Sequence, residues 1–289
     1  MNPAFAKGPA LARKVLWGFK AGAWLGWQIE SNWTDPFLFA VYSAIKPVAG
    51  VLILVFMYLV VAQGGLGNPL FPQVFLGTTF YLYVVNILSG ISWTIIEDRE
   101  HYGTLKYVYM APMHFYGYLV GRGVAKALIA TSSVLITLAF GLGFLQVRLS
   151  LFGAKLFVFG FLLGILGLVF YGILLAGISL LIARHGGVLG EVVAGGLYLL
   201  CGVVYPLELL PWPLRALGYA FPPTYWLEAL RRALLGTGLH PELARLSDGL
   251  LLSILAAATA LGALFSLLVF RYAERIAVRR GLLDMQTMY

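Results

Sequence analysis

Long stretches of this chain carry no charged residue, and several reach the ~20 apolar positions a helix needs to cross about 30 Å of hydrocarbon. No other feature restricts the fold as strongly. Backbone N–H and C=O groups inside a bilayer find no water, so only helices and closed barrels can cross it. Barrel strands alternate over ~10-residue segments, whereas these runs are continuous and rich in Leu, Gly and Ala. Over 289 residues the chain is 61% hydrophobic and 11% charged, with mean hydropathy +0.88. Soluble domains carry roughly 25% charged residues. The expected fold class is therefore an all-α polytopic membrane protein in a single transmembrane domain over 1–289.

Six transmembrane helices are expected, at about 37–61, 71–96, 119–146, 155–183, 188–205 and 249–270. The first follows Asp35-Pro36, which suits a helix start, and contains the unusual intramembrane pair Lys46-Pro47. Arg122 and Lys126 lie in the first turns of the third. The fourth is studded with Gly160, Gly164, Gly167, Gly172 and Gly177. Ser247-Asp248 is expected to cap the last. Residues 1–35 mix Leu11, Val15, Leu16, Phe19, Trp24, Leu25 and Trp27 with Lys7, Arg13, Lys14 and Lys20. They lack the uninterrupted apolar core of a cleavable signal peptide. An amphipathic helix lying in the membrane interface is expected instead.

Between the fifth and sixth spans, residues 206–246 hold Pro206, Pro211, Pro213, Pro222, Pro223 and Pro241. Proline inside a helix removes a hydrogen bond and clashes with the preceding turn, so one continuous span is excluded. The intervening residues are apolar, among them Leu207, Leu209, Leu210, Trp212, Leu214, Leu217 and Phe221. A re-entrant pair of short helices over 206–236 fits this pattern.

Basic residues orient the chain. With both termini cytoplasmic, that side holds Lys7, Arg13, Lys14, Lys20, Arg99, Lys106, Arg122, Lys126, Arg184, Arg271, Arg275, Arg279 and Arg280, which is 13. The other side holds Arg148, Lys155, Arg215, Arg231, Arg232 and Arg245, which is six. The loop 62–70 has neither Lys nor Arg. The net charge of +8 thus reads as topology in a lipid bilayer, the cell membrane, and not as nucleic-acid binding. Cys201 is the single cysteine, so the chain can form no internal disulfide and no thiolate cluster.

The motifs of covalent chemistry are missing from the sequence. It contains no G-x-x-x-x-G-K-[ST], no H-E-x-x-H and no G-x-S-x-G. His101, His114, His185 and His240 show no metal-ligand spacing. Glu191 is an intramembrane acid and hence a functional candidate by default, although it lies close enough to the span end to reach the interface or pair with Arg184.

The densest polar island is 97–112. It reads Glu97-Asp98-Arg99-Glu100-His101-Tyr102-Gly103-Thr104-Leu105-Lys106-Tyr107-Val108-Tyr109-Met110-Ala111-Pro112. Gly103 permits a turn, Thr104 is placed to cap a short amphipathic helix, and Pro112 ends it. A charge cluster here is expected to face cytoplasmic water and meet a partner.

The acids followed by G-T-L-x-x-x-x-x-x-P resemble the permease subunits of type-2 ABC exporters. A second block agrees: Gly202-Val203-Val204-Tyr205-Pro206-Leu207-Glu208-Leu209-Leu210-Pro211, then Pro222-Pro223-Thr224-Tyr225 and Arg231. The likeness covers nearly the whole chain. It implies an export permease that works as a dimer, homomeric or heteromeric, with a cytoplasmic ABC ATPase on each protomer. ATP and Mg²⁺ would sit on those ATPases, with no cofactor and no enzymatic activity on this chain. The resemblance makes Glu97, Arg99, Glu100, Gly103, Thr104, Leu105 and Tyr107 the ATPase-coupling element. It makes Pro206, Leu207, Glu208, Pro211, Tyr225 and Arg231 part of an external gate. Polar or aromatic character within spans selects Tyr42, Tyr81, Asn86 and Tyr198 for a substrate path. Lys46 joins them as a residue that snorkels, pairs across the dimer or meets an anionic substrate. Two other classes stay open: a membrane enzyme acting on lipid-linked substrates, and an ATP-independent channel or scramblase.

Overall fold

A computed structural model describes residues 8–31, 41, 45, 47–53, 55–57, 60, 68–182 and 188–283. Among them every regular element is helical. Helix α1 covers Gly8–Ser31 and the apolar α2 covers Pro47–Met57. Helix α3, Leu70–Ile96, runs on into a π-helical turn at Glu97–His101. Then come α4 (Leu105–Met110), α5 (Phe115–Gly143), α6 (Ala154–Leu181) and α7 (Val188–Leu200). A 3₁₀ turn, Leu207–Leu209, leads to α8 (Trp212–Ala220), α9 (Pro222–Leu235), α10 (Pro241–Ala244) and α11 (Asp248–Arg279).

Among the described residues, four helices are long and apolar enough to cross a membrane: Leu70–His101, Phe115–Gly143, Ala154–Leu181 and Asp248–Arg279. The chain is a multi-pass membrane protein. The first expected span falls largely outside the described residues, apart from α2. The fifth, expected at 188–205, stops at Leu200, and its 13 residues rise only about 20 Å. The cause is local: Gly202 adopts φ +63°, a left-handed conformation that ends helices. Its cysteine neighbour Cys201 is buried, as an apolar filler should be.

Helix α3 is the axis of the molecule, packed against α5, α6 and α7. It is apolar around its circumference, as a helix buried on all sides must be, and Leu76, Val84, Ile87, Ile91 and Ile95 are inaccessible to solvent. The glycines of α6 are seats for neighbours. Gly164 receives the Trp226 indole, Gly172 the Ile91 side chain, and a Cβ on Gly177 would sit 3.2 Å from Phe270 Cα. Close helix approach over small residues is what drives association where lipid removes the hydrophobic contrast.

The prolines of 206–246 act as expected. Pro213, Pro222, Pro223 and Pro241 occupy first turns of α8, α9 and α10, where a missing N–H costs nothing. Gly236 closes α9 at φ +74°. Ser247 caps α11, its Oγ accepting the Leu250 N–H at 3.3 Å.

Candidate functional site

The polar island 97–112 is two structures. Its first half is not water-facing, contrary to expectation: Asp98, Arg99 and Glu100 are buried. The π turn keeps the chain helical past the end of α3 and brings Glu97 and Asp98 against α5. There the Tyr118 hydroxyl donates to Asp98 Oδ2 at 2.7 Å, and Arg122 lies 3.2 Å from Glu97 and 3.8 Å from Asp98. Arg99 pairs with Glu100 at 2.8 Å and donates to the Ile182 carbonyl at 3.3 Å. Single π turns inside α-helices are a recurrent functional device.

The second half is a small two-faced helix. Gly103, at φ +60°, makes the turn into α4. Leu105 and Val108 are buried, while Tyr102, Lys106, Tyr107 and Met110 are exposed, Tyr107 by 61% and Met110 by 71%. Thr104 does not cap α4. Its hydroxyl donates instead to the Asp98 carbonyl at 3.4 Å, tying the turn to the buried charges. Ala111 is extended, as the residue before Pro112 must be.

Sequence reasoning missed how this end is held. Gly18, Gly22 and Gly26 of α1, spaced by four, face α5, whose Gly117 and Gly121 face back. A Cβ on Gly18 would sit 2.5 Å from the His114 carbonyl oxygen, and one on Gly117 would sit 2.6 Å from that of Val15. The His114 N–H donates to the Lys14 carbonyl at 3.2 Å, and Lys126 pairs with Glu30. So α1 is clamped along α5 while Leu16, Trp17, Trp24 and Trp27 stay exposed. The four-residue glycine spacing in both segments was the legible signal.

A cavity of about 720 Å³ opens between α3, α5, α7 and the described part of α2. Tyr81, Asn86 and Tyr198, three of the five residues expected along a substrate path, line it together with Glu30, Ser89 and Glu191. Tyr42 and Lys46 lie outside the described residues. The Tyr81 ring meets Tyr198 edge-on at 5.1 Å, and its hydroxyl donates to the Ala194 carbonyl. Asn86 Nδ2 donates to the Leu82 carbonyl at 2.7 Å, and the Trp93 indole N–H donates to Glu191 at 3.1 Å. Glu191 therefore has Trp93 as a partner, and the expected Arg184 lies outside the described residues.

The opposite end is knitted by polar side chains. Arg231 is buried and donates to the carbonyls of Gln73, Gly202 and Val203 at 3.0, 3.0 and 2.8 Å. The buried Glu228 accepts the N–H groups of Leu239 and His240. His240 Nδ1 accepts the Leu207 N–H at 3.3 Å and lies 3.8 Å from Glu208. The Glu208 carboxylate accepts the Tyr219 hydroxyl, and the Tyr225 hydroxyl donates to the Tyr219 carbonyl. Of the six expected gate residues, Leu207, Glu208, Tyr225 and Arg231 thus belong to one braced unit. Pro206 and Pro211 shape its turns: both are extended and flank the 3₁₀ turn. Burial, then the Arg231 charge, pushes His240 down to about 4. Burial raises Glu208, but hydrogen bonds from backbone N–H groups and the Tyr219 hydroxyl outweigh it and hold the carboxyl low.

Among the described residues no cluster of His, Cys, Asp or Glu could hold a metal ion. A family model described as ABC-2 type transporter matches residues 21–235. No curated protein matches the chain.

Proposed function

The chain belongs to the ABC-2 type transporter family, and from that premise we propose that it is the permease subunit of an ATP-driven exporter. It spans the cell membrane six times with both termini in the cytoplasm, α2 and α7 contributing to the two spans not measured at full length. It works as a dimer, with an ATPase docked on each protomer and ATP and Mg²⁺ bound there.

The observation that carries this reading is the two-faced α4. Leu105 and Val108 fix it to the molecule and leave Lys106, Tyr107 and Met110 exposed on one side. Exposed aromatic and methionine side chains on a short, anchored helix suit the centre of a protein interface. Behind α4, the Glu97–Glu100 turn is bonded to Arg122 and Tyr118 on α5, and α5 lines the cavity through Ile129 and Ser133. A displacement of α4 therefore has a direct path to the cavity wall. Within the coupling element, Tyr107 supplies contact, Leu105 anchors, Gly103 and Thr104 set the turn, and Glu97, Arg99 and Glu100 transmit. Closure of the ATPases would shift the permease between inward- and outward-facing states, each stabilised by different contacts. The braced unit around Arg231 serves as the external gate.

The test is Tyr107→Ala combined with Met110→Ala, in the chain co-expressed with its cognate P-loop ATPase. Co-purification and ATP-dependent transport should both fall at least tenfold while the yield of folded permease is unchanged. Assembly and transport at wild-type levels would overturn the docking assignment.

A further inference from the structure

The charge that the described residues bring to the central cavity is acidic. Glu30 and Glu191 are the charged residues among its described lining. Glu30 is already matched by Lys126, which leaves the Glu191 carboxylate without an opposite charge among the described contacts. Several nearby donors are committed. The Trp93 N–H goes to Glu191, the Tyr81 O–H to the Ala194 carbonyl, and one Asn86 N–H to the Leu82 carbonyl. Tyr81 and Asn86 still offer the cavity lone pairs, and Asn86 keeps one N–H. The Ser89 hydroxyl is 8% exposed, lines the cavity and finds no hydrogen-bond partner among the described residues. A buried hydroxyl without a partner costs free energy that a ligand can recover.

We propose that this cavity binds an amphipathic organic cation, an ammonium carried on an apolar or aromatic body, with Glu191 as its counter-charge. The inference rests on the permease reading only in making that cation the transported substrate. An anion would find hydroxyl donors on Thr78 and Ser89 but would be repelled by the Glu191 carboxylate. A neutral apolar molecule would leave the Glu191 carboxylate with the Trp93 N–H alone among the described contacts. A cation satisfies both the charge and the acceptors. Leu82, Val51 and Ile129 supply apolar contact for its body, and the Tyr81 and Tyr198 rings supply faces that attract cations. The volume is in the range of drug-sized ligands. The acid and the two tyrosines lie on different turns of the cavity: Glu191 is in the first turn of α7 and Tyr198 is seven residues further on. The site is thus polarised along α7, with the charged end near Trp93 and the aromatic end near Tyr81.

The test compares three probes of one size on the purified chain in nanodiscs, by calorimetry: 2-(1-naphthyl)ethylammonium, 1-naphthylacetate and 2-(1-naphthyl)ethanol. The ammonium should bind at least tenfold more tightly than the carboxylate. Glu191→Gln should remove that preference while binding of the neutral alcohol stays within twofold, which also shows that the cavity is still formed. Equal or tighter binding of the carboxylate, or a preference untouched by Glu191→Gln, would overturn the proposal. ATP-dependent transport with the cognate ATPase separates the two readings. Transport without any cation preference removes this inference alone. A cation preference in a chain that never transports removes the permease reading and leaves the site.

Discussion

The guanidinium of Arg231 occupies the space that a side chain on Gly77 would need: a Cβ there would sit 3.1 Å from Arg231 Cζ. Gly77 is therefore the gap in α3 through which α9 is bolted to the axis of the molecule. From it, Arg231 reaches the backbone on both sides, at Gln73 in α3 and at Gly202 and Val203 beyond α7. Arg231→Lys keeps the charge but loses the fork that bridges separate carbonyls. Each buried acceptor left without a donor costs about 1–3 kcal/mol, so a loss of roughly 2–4 kcal/mol is expected. Gly77→Ala should act in the same direction by crowding. Thermal unfolding in detergent should show both as lowered midpoints, and unchanged midpoints would contradict the bolt.

Acid should loosen the segment around His240. The imidazole is pushed down to about 4 by burial and by Arg231, and Nδ1 accepts the Leu207 N–H, which places the proton on Nε2. A histidine with a depressed folded pKa contributes stability that is present above its unfolded value near 6.5. That stability is lost as pH falls toward the folded pKa, with a slope of at most about 1.4 kcal/mol per pH unit. Glu208, 3.8 Å away, is also held low, and the stability of a depressed carboxyl is lost in the same direction, as pH falls below its unfolded value. Between pH 6.5 and 4.5, hydrogen exchange at the Leu207 amide should accelerate in the native chain. His240→Gln should flatten that dependence.

The buried acids at the end of α3 should respond unequally. Arg122 stands between Glu97 and Asp98, so Arg122→Ala leaves two adjacent carboxylates without their cation. Breaking one side of a buried pair costs about 3–5 kcal/mol. Glu97 is more open, its side chain 29% exposed, and Glu97→Gln should cost less than about 1 kcal/mol. Folded yield and melting midpoint of the two variants provide the comparison, and equal effects would show that Arg122 is not the keystone.

Bulk in the α1–α5 seam should pry the helices apart. Gly22→Val and Gly121→Val both place side chains against facing backbone, and overpacking typically costs about 1–3 kcal/mol. Limited proteolysis should release the α1 segment from either variant faster than from the native chain. Substitution of the exposed Trp17 by Phe should leave the proteolysis rate unchanged.

Local chemistry that depends on neighbours in sequence was readable from the residues. Gly103 makes its turn, Pro112 ends α4, Ser247 caps α11, and the prolines of 206–246 divide that segment into short helices. The misreadings have a common cause. Asp98, Arg99 and Glu100 looked solvated because a cluster of charges normally is, and the groups that meet them lie far along the chain, Tyr118 and Arg122 for Asp98 and the Ile182 carbonyl for Arg99. Thr104 looked like a cap, but the Asp98 carbonyl competes for its hydroxyl. The α7 boundary was overrun because hydropathy continues through Cys201 and Val203 while the backbone turns at Gly202.

The residues alone determined the solvent of this protein. Uncharged runs of bilayer length leave a helical membrane fold as the physical solution, since a lipid-facing backbone must bond to itself. The two blocks of glycine, proline and acid added the family to which it belongs. Only the tertiary structure decided what the polar groups do. Whether a charge faces water, braces a turn or waits in a cavity depends on which partner packs within about 3 Å. Glu97 through Glu100, Arg231 and Glu191 are all polar residues beside apolar runs. Packing of α5, α3 and α7 holds Glu97 and Asp98 against Arg122, bolts Arg231 through the gap at Gly77 and leaves Glu191 at the wall of the cavity.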